Sequence, residues 1–223
     1  MKVIALGLAA GLTLSAPANA EDSAQYWWTL VGDVKVDDND TVTGAVIIRS
    51  RPDTLEPGQR FLRTGMSHRL QNGISLSVGY THVTTLNDNA PNSVQHRVSQ
   101  GIGFPVGKIA DSLVDVRFQA EEIFTPGRRD IGVRGRGRVR LLKPLDAAGA
   151  VDVQLSDELI WSINSTDWGQ KSGWTANRAA LALHVKLNKR VGIAPGYTWQ
   201  LVNKTSGPNR NDHIFGLTAD VHF

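Results

Sequence analysis

The chain has 223 residues, a formal net charge of +3 and no cysteine. That length suits one domain or one barrel. Without cysteine there are no disulfides, thiolate zinc sites or cysteine nucleophiles, and so small a charge argues for no particular partner.

The first residues read as an export signal. Met1 and Lys2 give a short positive start, Val3 to Leu14 is apolar, and Ala18-Asn19-Ala20 supplies small residues before Glu21. This predicts a cleaved secretory signal peptide over 1–20 and a single domain over 21–223, and export removes nucleic acid from the expected partners. Beyond residue 20 no apolar stretch approaches the ~18 residues that a spanning helix needs. The mean hydropathy is −0.20. A soluble protein has such a value, and so does a transmembrane barrel, in which only alternate residues face lipid. Periodicity has to decide between them.

Period-two segments run through the rest of the chain, at roughly 25–36, 40–50, 60–71, 73–84, 93–104, 113–124, 131–143, 149–163, 176–187, 190–202 and 213–223. Ile74, Leu76, Val78 and Tyr80 oppose Ser75, Ser77, Gly79 and Thr81. Val114, Val116, Phe118 and Ala120 oppose Asp115, Arg117, Gln119 and Glu121. Val151, Val153, Leu155, Leu159 and Trp161 share a face that Asp157 interrupts, against Asp152, Gln154, Ser156 and Glu158. Leu181, Leu183, Val191 and Ile193 continue the pattern, which ends with Phe215, Leu217, Ala219, Val221 and Phe223. Segments of about ten residues or more exceed the usual strand of a soluble protein and match a tilted membrane strand of ~9–11. Short turns near 37–39, 71–73, 144–148 and 188–189 alternate with longer polar loops near 51–59, 85–92, 164–174 and 203–211, as in outer-membrane barrels. The fold class expected is all-β, a closed antiparallel transmembrane barrel of about 10–12 strands with its apolar face outward. Single-chain bacterial barrels have even strand counts, so an even number is expected: either there is one strand more than these segments, or the segment at Tyr26-Trp27-Trp28 is not an ordinary spanning strand. Aromatics such as Tyr26, Trp27, Trp28, Tyr80, Phe104, Tyr197 and Trp199 fall where a membrane girdle would need them. A terminal Phe223 with apolar Val221 two residues before it resembles the signal read by the outer-membrane barrel assembly machinery.

Arg134, Arg136, Arg138 and Arg140 alternate with Gly135, Gly137 and Val139. On a strand they share one face, at ~7 Å spacing. Facing lipid they would cost several kcal/mol near the midplane, so they are placed in the lumen. Carboxylates must approach them there: Glu121 and Glu158 first, Asp115 and Asp152 behind, with Arg138–Glu158 expected to couple across a hairpin. An internal salt-bridge ladder is the leading reading, and an anion-attracting lumen the second. No catalytic residue, metal site or cofactor is assigned. Six histidines are present, and His184 with Ser156 or Glu158 is the one conceivable hydrolytic grouping.

The order of short motifs adds a resemblance. Gln95-His96-Arg97, the alternating arginines, Ser156-Asp157-Glu158-Leu159, Asn164, Asp167-Trp168-Gly169, Asn177-Arg178 and Asn211-Asp212-His213 follow one another. In that order they resemble the bacterial family labelled domain of unknown function 2490, over nearly all of the chain after the signal. Many members carry Glu where this chain has Gln95. The resemblance implies an outer-membrane barrel and no activity. Three functions compete: a structural barrel or narrow pore in the outer membrane of a Gram-negative bacterium, an outer-membrane hydrolase of lipid or peptide, and a soluble periplasmic binding barrel. The first is preferred, with outer-membrane lipid and the barrel assembly machinery as its partners.

Overall fold

The computed structural model describes residues 21–204 and 206–223. The predicted signal peptide, 1–20, lies outside the described residues. Everything described is strand, turn or loop: β1 (Glu21–Lys35), β2 (Asp40–Ser50), β3 (Pro57–Arg69), β4 (Ser75–Thr85), β5 (Ser93–Ile109), β6 (Ser112–Phe124), β7 (Gly132–Pro144), β8 (Val151–Ser162), β9 (Gly173–Lys186), β10 (Val191–Val202) and β11 (Arg210–His222). Each strand pairs with the next, and β1 pairs with β11 to close the barrel.

The closure corrects the even count. Consecutive strands alternate in direction, so the first and eleventh run the same way. β1 and β11 accordingly pair in parallel, from Glu21↔Arg210 to Asp33↔His222. The segment at Tyr26-Trp27-Trp28 is thus an ordinary strand of 15 residues. Side chains brace this seam. Ser23 Oγ donates to Asp212 Oδ1 at 2.7 Å, Asn211 Nδ2 donates to Asp22 Oδ1 at 3.1 Å, and the Tyr26 and Phe215 rings stack at 5.9 Å. At the far end the Phe223 N–H donates to the Asp33 carbonyl at 3.0 Å, and His222 Nδ1 meets Asp33 Oδ1 at 2.6 Å.

The pleat sends the apolar residues outward. Leu181, Leu183 and Leu217 are exposed on the barrel wall, with Leu30, Val46, Leu62, Val78, Phe118 and Leu155. Val191, Ile193 and Val221 are half-buried on the same surface. Among the described residues, eight apolar residues are buried against twelve polar or charged ones. A soluble barrel would bury its apolar set instead. Polar residues do occur on the outer face: Asp157 lies mid-strand on β8, where Asn177 Nδ2 donates to its Oδ1 at 3.0 Å.

The two ends differ. The connections 36–39, 70–74, 110–111, 145–150 and 187–190 are short and share one end with Phe223. In the first, the Asn39 and Asp40 N–H groups donate to Asp37, which holds its carboxyl below the usual range. The loops 51–56, 86–92, 125–131, 163–172 and 203–209 share the other end with Glu21. Two of them interlock. Asp167 accepts from the Arg129 and Asp130 N–H groups, Asp130 Oδ2 accepts from the Asp167 N–H at 2.7 Å, and Trp168 Nε1 donates to the Asp130 carbonyl at 2.9 Å. Asn164 completes the latch, accepting from the Val133 N–H at 2.7 Å and donating to the Ile131 carbonyl.

The parallel seam is testable because the chain has no cysteine of its own. Leu30 and Ala219 are direct neighbours across it. Neighbouring strands lie ~4.8 Å apart, within disulfide range. Oxidation of a Leu30→Cys, Ala219→Cys variant should therefore give an internally cross-linked monomer on a gel. The pair Leu30→Cys, Phe215→Cys, offset by about 13 Å along the strand, should not cross-link. The reverse result would exclude this register.

Candidate functional site in the barrel lumen

With the outer face apolar, the polar residues of every strand meet inside. The four arginines of β7 point there as geometry requires, but they are joined by others that the sequence reading did not group with them. Arg49, Arg63, Arg97, Arg117 and Arg178 occupy inward positions on β2, β3, β5, β6 and β9. Parity on the polar faces was the available signal, and only the Arg-Gly repeat drew attention to itself.

Carboxylates are fewer, and each is shared. Glu121, 5% exposed, lies 3.3 Å from Arg136 and 3.9 Å from Arg134. Asp115 pairs with Arg140 Nε at 2.7 Å and with Arg138 at 3.9 Å. Glu158 is directly opposite both Arg138 and Arg178 in the sheet. It turns to Arg178 at 3.3 Å and reaches Arg136 at 3.9 Å. The expected Arg138–Glu158 contact is not made: Glu158 bridges Arg178 and Arg136, and Arg138 pairs with Asp115 instead. Asp152 is corrected more fully: it pairs with Lys186 at 3.7 Å, toward the short-turn end and away from the ladder.

The network continues through amides. Gln119 Nε2 donates to Glu121 at 3.0 Å, and Arg117 donates to Gln119 Oε1 at 2.5 Å. Arg178 Nε donates to Gln200 Oε1 at 2.5 Å, and Gln200 Nε2 donates to Asp212 Oδ2 at 2.7 Å. Asp212 is fully buried and also accepts from Arg210 Nε at 2.6 Å. Where carboxylates run out, aromatic rings take over. The Arg49 guanidinium lies between Trp27, 3.7 Å from its ring centre, and Phe61, 4.2 Å away. Arg178 approaches the Trp27 ring and Arg97 the Phe61 ring at 5.4 and 5.8 Å. A ring face attracts a cation by ~0.5–2 kcal/mol, more when water is excluded. Trp27 thus serves inside the barrel rather than in the girdle.

This cross-bridging divides the lumen. Arg97, Glu121 and Arg136, with the buried Phe61, form a partition. Inward apolar residues reinforce it toward the loop end: Val83, Ile123, Ile160 and Ile214 are almost wholly buried. On the loop side is a cavity of about 590 Å³ bordered by Gln95, Arg134, Trp168 and Trp174. On the short-turn side is a cavity of about 690 Å³ bordered by Arg63, Arg117, Arg138 and Arg140. The two have no lining residue in common.

The hydrolytic grouping is not assembled. His184 is opposite Asp152, while Ser156 is opposite Ala180, four residues further on, about 13 Å along the strands. Glu158 is engaged with arginines. Tyr80 and His96, and Tyr197 and His213, are hydrogen-bonded at 2.6 and 2.7 Å on the outer surface. Among the described residues no group of three or more metal-ligating side chains converges.

Comparison with known proteins agrees with this architecture in extent. A family model described as a protein of unknown function (DUF2490) matches residues 24–212. An uncharacterized protein of Methylorubrum extorquens is 27% identical over 168 residues, covering 74% of this chain and 73% of its own length.

Glu121 is the carboxylate whose loss should be felt most. Glu121→Ala leaves Arg134 and Arg136 without their shared partner, an expected loss of about 3–5 kcal/mol. The double variant with Arg136→Ala should recover part of it. Asp152→Ala, which removes a pair to the exposed Lys186, should cost under ~1 kcal/mol. Unfolding followed in detergent measures all three, and a Glu121→Ala protein as stable as the parent would exclude the network as a source of stability.

Proposed function

The chain belongs to this family of unknown function, and on that premise we propose that it is an outer-membrane barrel whose lumen is closed by its own side chains, so that it does not conduct. One observation carries the reading: the barrel wears its apolar residues outside and its charges inside. Lipid satisfies the outer surface, and the closed sheet leaves no backbone group unpaired within a bilayer. Water would leave the same surface unstable against aggregation. Strand lengths of 11 to 17 residues suit a tilted crossing. By the alternation of short turns and long loops, the end bearing Phe223 faces the periplasm and the interlocked loops face outward.

The location is tested by fractionation. The protein should sediment with outer membranes, resist extraction by high salt, and shift in gel mobility when heated, as stable barrels do. Recovery in the soluble periplasmic fraction would defeat the assignment. In planar bilayers the purified barrel should show no steady conductance, because the arginine partition crosses the lumen.

The assembly machinery is the partner proposed for biogenesis, through Val221 and Phe223. Phe223 is 70% exposed, so its side chain is free to be read, while its backbone ties β11 to β1. Deleting Phe223 should lower the amount of folded, heat-modifiable protein in cells. The same deletion refolded from urea into detergent should lose much less. Equal levels of folded protein in cells with and without Phe223 would remove this role.

A further inference from the structure

The short-turn chamber has an imbalance that the partition does not explain. Five arginines border it, Arg63, Arg69, Arg117, Arg138 and Arg140, against one carboxylate, Asp115. Asp115 is used by Arg140 at 2.7 Å and Arg138 at 3.9 Å. Arg63 has only the Thr81 hydroxyl at 3.4 Å, and Arg117 only the Gln119 amide. Arg138 Nε is buried with no hydrogen-bond partner.

The sheet register sharpens the imbalance. Arg117 and Arg138 are direct cross-strand neighbours on the lumen face. Like charges placed so repel and destabilise the pairing. In the partition the same problem is met with a glutamate or an aromatic ring. Here the nearest carboxylate, Asp115, is 3.9 Å from Arg138 and is shared with Arg140 at 2.7 Å. The facing wall, apart from Arg63 and Arg69 on β3, carries small side chains, among them Ser67, Ser75, Ser77 and Ser99. They leave about 690 Å³ open in front of the arginines, within the ~300–1,000 Å³ of small-molecule sites.

We propose that this chamber binds a phosphoryl-bearing anion, gripped by Arg63, Arg117 and Arg138 and opposed by Asp115. Guanidinium forks match phosphoryl oxygens in pairs, which a lone chloride cannot exploit. The anion relieves the Arg117–Arg138 repulsion and fills the unused donor of Arg138. The chamber is larger than inorganic phosphate needs, and its serine wall offers hydroxyl groups to a polar body. A phosphate ester of a polyol fits both halves. The same phosphoryl group also occurs on lipid headgroups and as free phosphate, and the test separates these sources. The inference does not depend on the membrane assignment, since it concerns the folded barrel in any surrounding.

The experiment is calorimetric titration of the full-length mature barrel, purified in a zwitterionic detergent and free of phosphate buffer. The probes are glucose 6-phosphate, inorganic phosphate and dihexanoylphosphatidic acid, with glucose as the uncharged control. At least one phosphorylated probe should bind at millimolar or lower concentration, and glucose should not. Glucose 6-phosphate binding tightest supports the ester; either other probe binding tightest keeps the phosphoryl site and overturns the polyol half. Arg63→Gln and Arg117→Gln should each weaken binding by about tenfold, the worth of one charge-assisted hydrogen bond. Asp115→Asn should strengthen it, because it removes the competing carboxylate. If Arg117→Gln does not fold, Arg117→Lys keeps the charge, loses the fork and should still bind more weakly. No binding of any phosphorylated probe overturns the proposal, as does binding unchanged across the folded variants. Heat-modifiable mobility of each variant establishes that a loss of binding is not a loss of fold.

Discussion

Everything inside this barrel is arranged around a shortage of negative charge. The outward face has to be apolar, so the polar half of each strand is confined to a lumen about eleven strands around. Ten of those inward side chains are arginines on β2, β3, β5, β6, β7 and β9, and their guanidiniums cannot lose their charge. Desolvating a charge is costly unless it is paired and hydrogen-bonded. Glu121, Glu158 and Asp115 each serve two arginines. Amides of Gln95, Gln119 and Gln200 extend the chain of donors and acceptors, as in the 2.8 Å bond from Arg97 to Gln95. As a neutral acceptor Gln95 orients Arg97 without cancelling its charge, which leaves the Phe61 ring and Glu121 to do that.

The parallel seam follows from strand number and constrains the ends of the chain. With eleven strands, β1 begins at the long-loop end, beside the start of β11, and both run toward the short turns. Parallel pairing is slightly weaker per residue than antiparallel, and no hairpin ties the two strands together. The seam compensates with side chains drawn from both partners: Ser23 on Asp212, Asp22 on Asn211, His222 on Asp33, and Tyr26 on Phe215. Outside the seam, Asp53 in the first loop accepts from the Ala24 N–H at 2.8 Å, and Ser50 Oγ accepts from the Tyr26 N–H at 2.9 Å. The entry of β1 is thereby fixed to the loop that follows β2. Asp212 serves both the seam and the arginine network through Gln200, so closure of the barrel and filling of its lumen are one structure.

Strand positions were legible in the sequence to within a few residues, because a strand with an apolar outer face and a polar lumen face has to alternate along its whole length. The inward course of Arg134 to Arg140 was legible for the same reason. Strand number misled through a rule about other barrels, although the chain itself displayed eleven periodic segments. The partition was harder to see. Ile123 follows Glu121 on one face, Ile160 follows Glu158 and Ile214 follows Asp212, so an apolar residue recurs on the polar side near the loop end of several strands. Each alone looks like imperfect alternation, and only the register shows that they form a layer. Partner choice was the least legible. Strand adjacency made Arg138–Glu158 a reasonable pair, but Glu158 has Arg178 on its other side, and adjacency alone does not rank two equal neighbours. The loop motif Asp167-Trp168-Gly169 gave no mechanical meaning until Asp130 was found opposite it.

The asymmetry of the lumen now has a physical cause. Toward the loop end, β3, β4, β6, β8 and β11 present Phe61, Val83, Ile123, Ile160 and Ile214, each almost wholly buried. Toward the short turns, β3, β4 and β5 present glycine and serine, which cannot fill the same cross-section. The long side chains there are arginines, Arg63 and Arg69 on β3 and Arg117, Arg138 and Arg140 on β6 and β7. A barrel needing only a rigid filled interior could have placed large apolar residues on β3 to β5 as well, as it does above the partition. Small residues facing unneutralised guanidiniums give up packing on one side and tolerate repulsion on the other. Neither feature stabilises the empty fold, and the two together make a chamber lined by unneutralised arginines. Such a lining suits the anion proposed for the chamber better than it suits an empty chamber.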